Sequence, residues 1–234
     1  AGKLDMVIVH KLDRFSRSAA GNAALFVSIA ERASALVPRS SVILEPALRL
    51  LDASAAPGPH ALRRDLARVR LLAAAERWPE AIAASETAVR NHPGVLEGER
   101  LRADVLAWAG RHDDALAAYD RYRALAPADL DAARQQARVA TWAGQATRAN
   151  TLYGELLARA PERTDMAAEA RAKAAFLAGR WDVAVPAYDT WLSLEPENSE
   201  ARFERAEALR ASRLIKDADA ALAVLAADAG HQLA

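Results

Sequence analysis

The sequence predicts an all-α protein, a solenoid of antiparallel helix pairs, and two periodic features support this prediction. Prolines recur every 34 or 35 residues, at Pro59, Pro93, Pro127, Pro161 and Pro196. About 34 residues accommodate two short helices and their turns. Three segments in the same frame begin with glycine and end with tyrosine: GRHDDALAAY (110–119), GQATRANTLY (144–153) and GRWDVAVPAY (179–188). Because repeats of this kind bury their apolar faces against their neighbours, the fixed period favours stacked helices.

Residues that end helices mark the turns of each pair. Gly110, Gly144 and Gly179 fall between the first and the second helix, where a left-handed cap favours glycine because it has no Cβ. The prolines follow the second helix, which they cannot extend. Within residues 61–229 we expect at least five helix pairs. Their turns are predicted near Arg77, Gly110, Gly144, Gly179 and Arg213. Glu76 takes the glycine position of the first repeat, as terminal repeats are commonly atypical.

Small and aromatic residues recur where paired helices must meet. Counted from the start of each first helix, alanine occupies the eighth residue at Ala103, Ala137, Ala172 and Ala206. It occupies the twentieth at Ala81, Ala115, Ala149, Ala184 and Ala218. Tyrosine recurs at Tyr119, Tyr153 and Tyr188. Since periodic apolar faces mainly bury themselves, we expect both sets in the core.

This pattern resembles the tetratricopeptide repeat (TPR) family. The resemblance covers residues 61–234 and implies a right-handed superhelical solenoid of about five repeats, whose inner face binds other molecules. Residues 24–60 are predicted to form a degenerate repeat or an N-terminal cap, because ALRLLDASAAP (47–57) keeps the frame whereas Pro38 interrupts the preceding helix. Residues 1–23 lie outside the frame and are interpreted as a remnant or leader, of which the first 20 are expected to be dispensable for stability.

The N-terminal segment LDMVIVHKLDRFSRS (4–18) resembles a fragment of the serine recombinase catalytic domain. In that family a strand is followed by arginines that stabilise charge on the scissile phosphate, and the resemblance implies this role for Arg14 and Arg17. The family places its nucleophilic serine on an earlier strand, whereas only three residues precede this segment. We therefore expect a truncated segment without strand-exchange activity. A DNA-processing function is the alternative hypothesis.

Composition argues against several classes of function. Lys and Arg balance Asp and Glu at 31 each, so no net field favours nucleic acid. Cysteine is absent, and the five histidines lack metal-ligand spacing. Neither a phosphate-binding glycine loop nor a nucleophile elbow is present, and no apolar run approaches the roughly 20 residues that span a bilayer. We therefore predict a non-enzymatic protein with no cofactor, metal, nucleic-acid partner or membrane span. The start at Ala1 is compatible with a removed signal peptide.

One face of the first helices is predicted to form a concave binding groove. Positions 2, 5, 9, 12 and 13 of each first helix share one arc of about 100°. The candidate binding residues on it are Arg70, Arg100, Asp104, Trp108, Arg134, Arg138, Trp142, Lys173 and Phe176. Arginines hold carboxylates and tryptophans supply apolar contact, so an acidic peptide is the expected ligand. The tryptophans have a second interpretation, packing between repeats. The arginines are expected to face solvent and to contribute little to stability.

The favoured function is therefore a scaffold that captures a protein or peptide. The repeat style LAWAGRxDDAxxxY, from VLAWAGRHDDALAAY (105–119), resembles the periplasmic repeat regions of bacterial exopolysaccharide-export and outer-membrane proteins. That resemblance implies an envelope assembly component or a polysaccharide as partner, and a periplasmic location. The composition by itself leaves a cytoplasmic location open as the alternative.

Overall fold

The described part of the chain is entirely helical. The computed structural model describes residues 23–35, 43–53, 60–212 and 222–223, which contain eleven helices of ten or more residues and no strand. In chain order these are α1 (Ala23–Ser34), α2 (Leu44–Ala53), α3 (Ala61–Ala74), α4 (Trp78–Asn91), α5 (Leu96–Trp108), α6 (His112–Leu125), α7 (Leu130–Trp142), α8 (Ala146–Arg159), α9 (Thr164–Leu177), α10 (Trp181–Leu194) and α11 (Ser199–Ala211). The predicted all-α fold of helix pairs is confirmed.

The chain divides into two compact units. Unit 1 (Ala1–Ala126) holds α1 to α6 and unit 2 (Pro127–Ala234) holds α7 to α11. In unit 1 each helix packs against the next, and the first helices α1, α3 and α5 also pack in series. Its core gathers Phe26, Leu51, Leu66 and Leu71 with small residues such as Ala81. The segments before residue 60 are thus helical where they are described, although α1 ends at Ser34.

Unit 2 repeats the same arrangement with an alanine-rich core. Here α7 packs on α8, α9 on α10, and α10 on α11. Tyr188 and Trp191 of α10 are buried among alanines of α9 and α11. The side chains of Asp129 and Asn198 cap α7 and α11 by accepting backbone N–H bonds three residues on, at 2.9 and 3.0 Å. These caps satisfy backbone donors that a helix start leaves without partners.

The four described turns inside helix pairs share one geometry. In each, the N–H of the residue after the cap bonds a carbonyl three residues back, and the next N–H bonds a carbonyl five residues back, as in Gly110 to Ala107 and Arg111 to Leu106. This is the Schellman motif, which requires a left-handed residue. Gly110, Gly144 and Gly179 supply it with φ of 73°, 70° and 66°. Four of the five predicted turns are confirmed, and the fifth lies outside the described residues.

Glu76 adopts the same left-handed conformation as the turn glycines, with φ of 55°. Because a side chain is strained there, we expect Glu76→Gly to raise the free energy of unfolding by about 0.5–1 kcal/mol. Gly110→Ala is the matched control: nothing lies within 4 Å of a Cβ added at Gly110, so only the backbone conformation would oppose the change. It should lower stability by about 1 kcal/mol. Urea denaturation of the two variants measures both effects, and equal signs would contradict the assignment.

The recurring alanines that the structure describes and the three tyrosines are buried as predicted, whereas Ala218 lies outside the described residues. Ala115, Ala149 and Ala184 have no exposed surface, nor do the three tyrosines. Ala149→Leu should therefore overpack α8 and lower the free energy of unfolding by about 1–3 kcal/mol, and Ala115→Leu should act similarly in α6. Ala146→Leu, at an exposed position of the same helix α8, serves as the control and should change stability by less than about 0.5 kcal/mol. Thermal denaturation followed by circular dichroism makes the comparison.

Some predictions fall on parts of the chain outside the described residues. The recombinase-like segment 4–18, the dispensable first 20 residues and the turn near Arg213 belong to this group. The boundaries at residues 23 and 60 also stay predictions.

Candidate binding surface

Unit 1 contains a cavity beside the predicted stripe of first-helix residues. Its volume is about 380 Å³, and it is lined by Ser34, Ala35, Arg70, Ala73, Ala74, Trp78 and Trp108. The last turns of α1, α3 and α5 and the first residue of α4 thus meet around one mainly apolar space. The structure brings the predicted residues Arg70 and Trp108 to the same cavity.

Trp108 leaves 53% of its surface exposed at the end of α5, although it also lines this cavity. Trp142 occupies the same repeat position at the end of α7 in unit 2 and leaves 46% exposed. About half of each indole therefore remains accessible beyond its packing contacts. Exposed tryptophans are uncommon on surfaces without a binding role, and they are enriched where binding energy concentrates.

Arg70 stands at the cavity with one ionic partner. Its Nη2 donates to Oε1 of Glu97 at 2.6 Å, and both side chains are partly exposed. Glu97 lies at position 2 of the next first helix and does not line the cavity. An exposed pair of this kind contributes little to stability, because solvent competes for both groups.

Arg100 and Asp104 contact each other and are absent from the cavity lining. Arg100 Nε donates to Asp104 at 3.2 Å, and the guanidinium lies over the rings of Tyr119 and Tyr122 at 5.9 and 5.7 Å. The Tyr119 hydroxyl also donates to Asp104. Burial and the charge of Asp104 raise the pKa of Tyr119 above its ordinary value, so the hydroxyl stays protonated. This cluster fixes α6 against α5.

In unit 2 the predicted arginines enclose a buried carboxylate. Glu169 of α9 is buried, and Arg138 of α7 holds it with two bonds, from Nε at 2.6 Å and from Nη2 at 2.7 Å. Arg134 donates to the same carboxylate and lies 3.5 Å from Asp165. Burial opposes the charge on Arg138, but the hydrogen bonds and charge of Glu169 outweigh it, so the pKa of Arg138 is raised.

Lys173 forms the mirror image of this arrangement one repeat on. The buried Nζ of Lys173 donates to Glu200 at 2.7 Å and to Glu204 at 2.8 Å, and lies 5.9 Å from the centre of the Trp191 ring. The Tyr188 hydroxyl donates to the other oxygen of Glu204 at 2.8 Å. Burial and the charge of Glu204 raise the pKa of Tyr188 above its ordinary value. Two carboxylates of α11 are thus fixed to α9 and α10.

The expectation of solvent-facing arginines is wrong for unit 2. The side chains of Arg134 and Arg138 are only 16% and 25% exposed, because the carboxylate of the neighbouring first helix draws them in. Three cations, Arg134, Arg138 and Lys173, face five carboxylates, Asp165, Glu169, Glu195, Glu200 and Glu204. The cluster therefore offers no excess positive charge to an acidic ligand. Its charges join neighbouring repeats.

Phe176 also takes part in internal packing. Its ring meets Trp181 and Tyr188 edge to face, with centroid distances of 5.4 and 6.1 Å. It is partly buried against the core of unit 2. Of the candidate residues in this unit, Trp142 is the one with a largely exposed side chain.

Comparison with known proteins identifies the family. The tetratricopeptide repeat family matches residues 66–129 and 169–231, which is more than half of the chain. The chain belongs to the tetratricopeptide repeat family. Neither this family match nor the similar solved structures support the recombinase resemblance of residues 4–18. No curated protein sequence matches this TPR chain.

Solved TPR structures share its fold at low sequence identity. A tetratricopeptide repeat protein from Parabacteroides merdae is 15% identical, with a TM-score of 0.70 over 86% of this chain and 79% of that one. PilW, a type IV pilus biogenesis factor, is 18% identical with a TM-score of 0.66, covering 86% and 92%. YrrB, a TPR protein with an unusual peptide-binding site, is 19% identical with a TM-score of 0.54, covering 75% and 88%.

The described residues offer neither a metal-binding cluster nor a membrane-spanning helix. No group of three or more histidine, aspartate or glutamate side chains within them is arranged to hold a metal ion. None of the helices in the described ranges is long and apolar enough to cross a membrane.

The sequence analysis did not identify two cavity-lining residues or the glutamate partners of the cations. Trp78 and Ser34 line the cavity, yet one opens a second helix and the other ends a helix outside the clear repeat frame. A detectable signal did exist for the charge pairs. A cation at position 9 precedes a glutamate by 27 residues both in Arg70–Glu97 and in Lys173–Glu200.

Proposed function

We propose that this TPR protein is a non-enzymatic scaffold that captures a segment of a partner protein on the first-helix face of its units. The half-exposed Trp108 and Trp142, at one repeat position in different units, carry the proposal. A large rigid aromatic side chain supplies much apolar contact at a small cost in conformational entropy. Two such residues on otherwise alanine-rich helix ends favour an interaction surface. In YrrB the same fold carries a peptide-binding site.

The preference for an acidic partner that the sequence predicts is restricted to one arginine in this proposal. Arg134 and Arg138 are neutralised within unit 2, so they do not select an acidic partner. Apolar contact at the tryptophans supplies most of the proposed affinity, and any preference for acidic groups is confined to Arg70 in unit 1. Because the interface backbone moves little in most pre-organised complexes, we expect a partner to dock on the helices as they stand.

A location in the bacterial envelope forms part of the proposal. It is supported by the resemblance of the LAWAGR-type repeats to periplasmic export proteins and by the fold shared with PilW, which is a pilus biogenesis factor. The exposed indoles also suit stacking on sugar rings, so a polysaccharide is the second candidate ligand. Both candidates predict binding that depends on the tryptophans.

Selection of peptides from a random phage-displayed library tests the scaffold proposal. We expect enriched peptides whose dissociation constants, measured by fluorescence anisotropy, rise about tenfold in Trp108→Ala or Trp142→Ala, which corresponds to about 1.4 kcal/mol. Leu125→Ala and Leu194→Ala are matched controls. The exposed fractions of these leucines, 53% and 48%, are similar to those of the two tryptophans. The leucines lie at the ends of second helices, whereas the tryptophans end first helices.

The leucine variants should change affinity by less than about twofold, since scattered exposed leucines need no binding role. Peptides that lose affinity in the leucine variants and keep it in the tryptophan variants would place the interaction on the opposite surface. If no peptide is enriched while a purified anionic polysaccharide binds in a tryptophan-dependent manner, the second candidate replaces the first.

A further inference from the structure

The cavity of unit 1 has the size and the walls of a pocket for one large side chain. Its volume of about 380 Å³ lies within the range of ligand-binding pockets. Ala35, Ala73 and Ala74 leave this space open because they carry only a methyl group. Trp78 and Trp108 contribute aromatic surface to its lining. Aromatic rings pair favourably with a further ring, stacked or edge to face.

The lining of this pocket contains one charged side chain. It belongs to Arg70, and its ionic partner Glu97 lies outside the lining. Its contact with Glu97 uses a single nitrogen, Nη2, whereas a guanidinium has five N–H donors and can hold a carboxylate through two of them. Both partners of this pair are partly exposed, so a ligand carboxylate can exchange with Glu97 at small cost.

The arrangement differs from the cation sites of unit 2 in one respect. There Lys173 is buried between Glu200 and Glu204, and Arg134 and Arg138 are mostly covered as they bond to the buried Glu169. Arg70 instead stays partly exposed beside an apolar space with a half-exposed indole. A partner can therefore reach the cation and the apolar walls at the same time.

We propose that this pocket binds an aromatic side chain of a partner protein whose neighbouring acidic residue bonds to Arg70. The inference rests on the proposed scaffold function and specifies its ligand: an acidic–aromatic segment that inserts its ring between Trp78 and Trp108. The ring supplies apolar contact, and the carboxylate sets the direction of the bound chain. The pocket lies at the helix ends, because its lining residues belong to the last turns of three first helices and to the start of one second helix.

Fluorine NMR of protein labelled with 5-fluorotryptophan tests this pocket directly. The probes are two capped tetrapeptides, one with an aspartate–tryptophan core and one with an asparagine–tryptophan core. The chain has five tryptophans, each assigned through its Trp→Phe variant. We expect the acidic peptide to shift the signals of Trp78 and Trp108 and to leave those of Trp181 and Trp191 unchanged. The asparagine peptide should bind about five- to tenfold more weakly, since a charge-assisted bond is lost.

Three variants separate the contributions. Arg70→Gln should abolish the preference for the acidic peptide, because the cation is lost and Glu97, now without its partner, repels a ligand carboxylate. Glu97→Gln should tighten binding of the acidic peptide at least about twofold, since it removes the competing carboxylate. Ala74→Leu should fill the space and abolish binding of both peptides. Circular dichroism of each variant checks that the helices persist.

The outcomes distinguish this inference from the scaffold proposal. Shifts confined to Trp142, or equal affinities of the two peptides for the wild-type protein, would overturn the pocket while leaving tryptophan-dependent peptide capture intact. If library selection shows no tryptophan-dependent peptide and neither tetrapeptide moves Trp78 or Trp108, both are wrong. Binding that is unaffected by Ala74→Leu would also refute insertion into the cavity.

Discussion

Replacing Arg134 and Arg138 together with alanine is expected to lower the free energy of unfolding by about 3–5 kcal/mol. Glu169 is buried on α9, and these two arginines of α7 are the cations that bond to its carboxylate. Without them a buried negative charge would lack compensation, which costs far more than the loss of an exposed ion pair. Urea denaturation followed by circular dichroism measures the change.

Three further variants show whether the buried carboxylate is the cause. Each single arginine substitution should cost less than half of the double, because the remaining guanidinium still bonds to Glu169. Adding Glu169→Gln to the double variant should restore a large part of the stability, since it removes the unpaired charge. Arg111→Ala is the control from an exposed pair, with Asp114 at 2.5 Å, and should change stability by less than about 0.5 kcal/mol.

A double variant as stable as the wild type would show that Glu169 reaches solvent when its partners are removed. The arginines would then be available to ligands, as the sequence had suggested. The same measurement therefore decides between a structural and a ligand-binding use of these cations. The stability of the double variant must also be known before its affinity for a ligand is interpreted, because an unfolded variant loses affinity whether or not the arginines contact the ligand.

The fold was predictable because its determinants are local. A left-handed cap at Gly110, Gly144 or Gly179 and a proline after each second helix act within a few residues, so they are visible in one sequence. Periodic alanines report close helix contact equally well, and Ala115 and Ala149 are indeed buried. Glu76 shows the limit of this reasoning. Its backbone keeps the glycine conformation although the residue type does not favour it.

The site was predictable only in part, because helical phase fixes the face of a residue but not its neighbours. Phase alone placed Arg70 and Trp108 on a shared face, and they line one cavity. Arg134 and Arg138 lie on the predicted face as well, yet Glu169 from the next first helix covers their charge. A residue's availability to ligands depends on the side chain one repeat away. A search of the sequence for oppositely charged residues about 27 to 35 positions apart would have identified these ion pairs.

Substitution of Lys173 is expected to have the second large effect on the free energy of unfolding, because this buried cation fixes the first helix of the next repeat. Its Nζ bonds to Glu200 and Glu204 of α11, and Tyr188 completes the hydrogen bonds of Glu204. Lys173→Ala should lower the free energy of unfolding by about 3 kcal/mol, the low end for a broken buried pair, since Glu200 is partly exposed. The loss should concentrate at α11, where hydrogen exchange of backbone amides would accelerate most.

The charge and the packing of Lys173 can be separated by a matched variant. Lys173→Met keeps nearly the same volume next to Trp191, so the difference between the methionine and alanine variants measures the cavity. The difference between the methionine variant and the wild type measures the uncompensated carboxylates. Adding Glu200→Gln and Glu204→Gln to Lys173→Met should then recover most of the stability, because no buried charge remains and the Tyr188 hydroxyl can still donate to a side-chain carbonyl. If Lys173→Met alone matches the wild type, the ion pairs do not hold α11 and apolar packing against Tyr188 and Trp191 does.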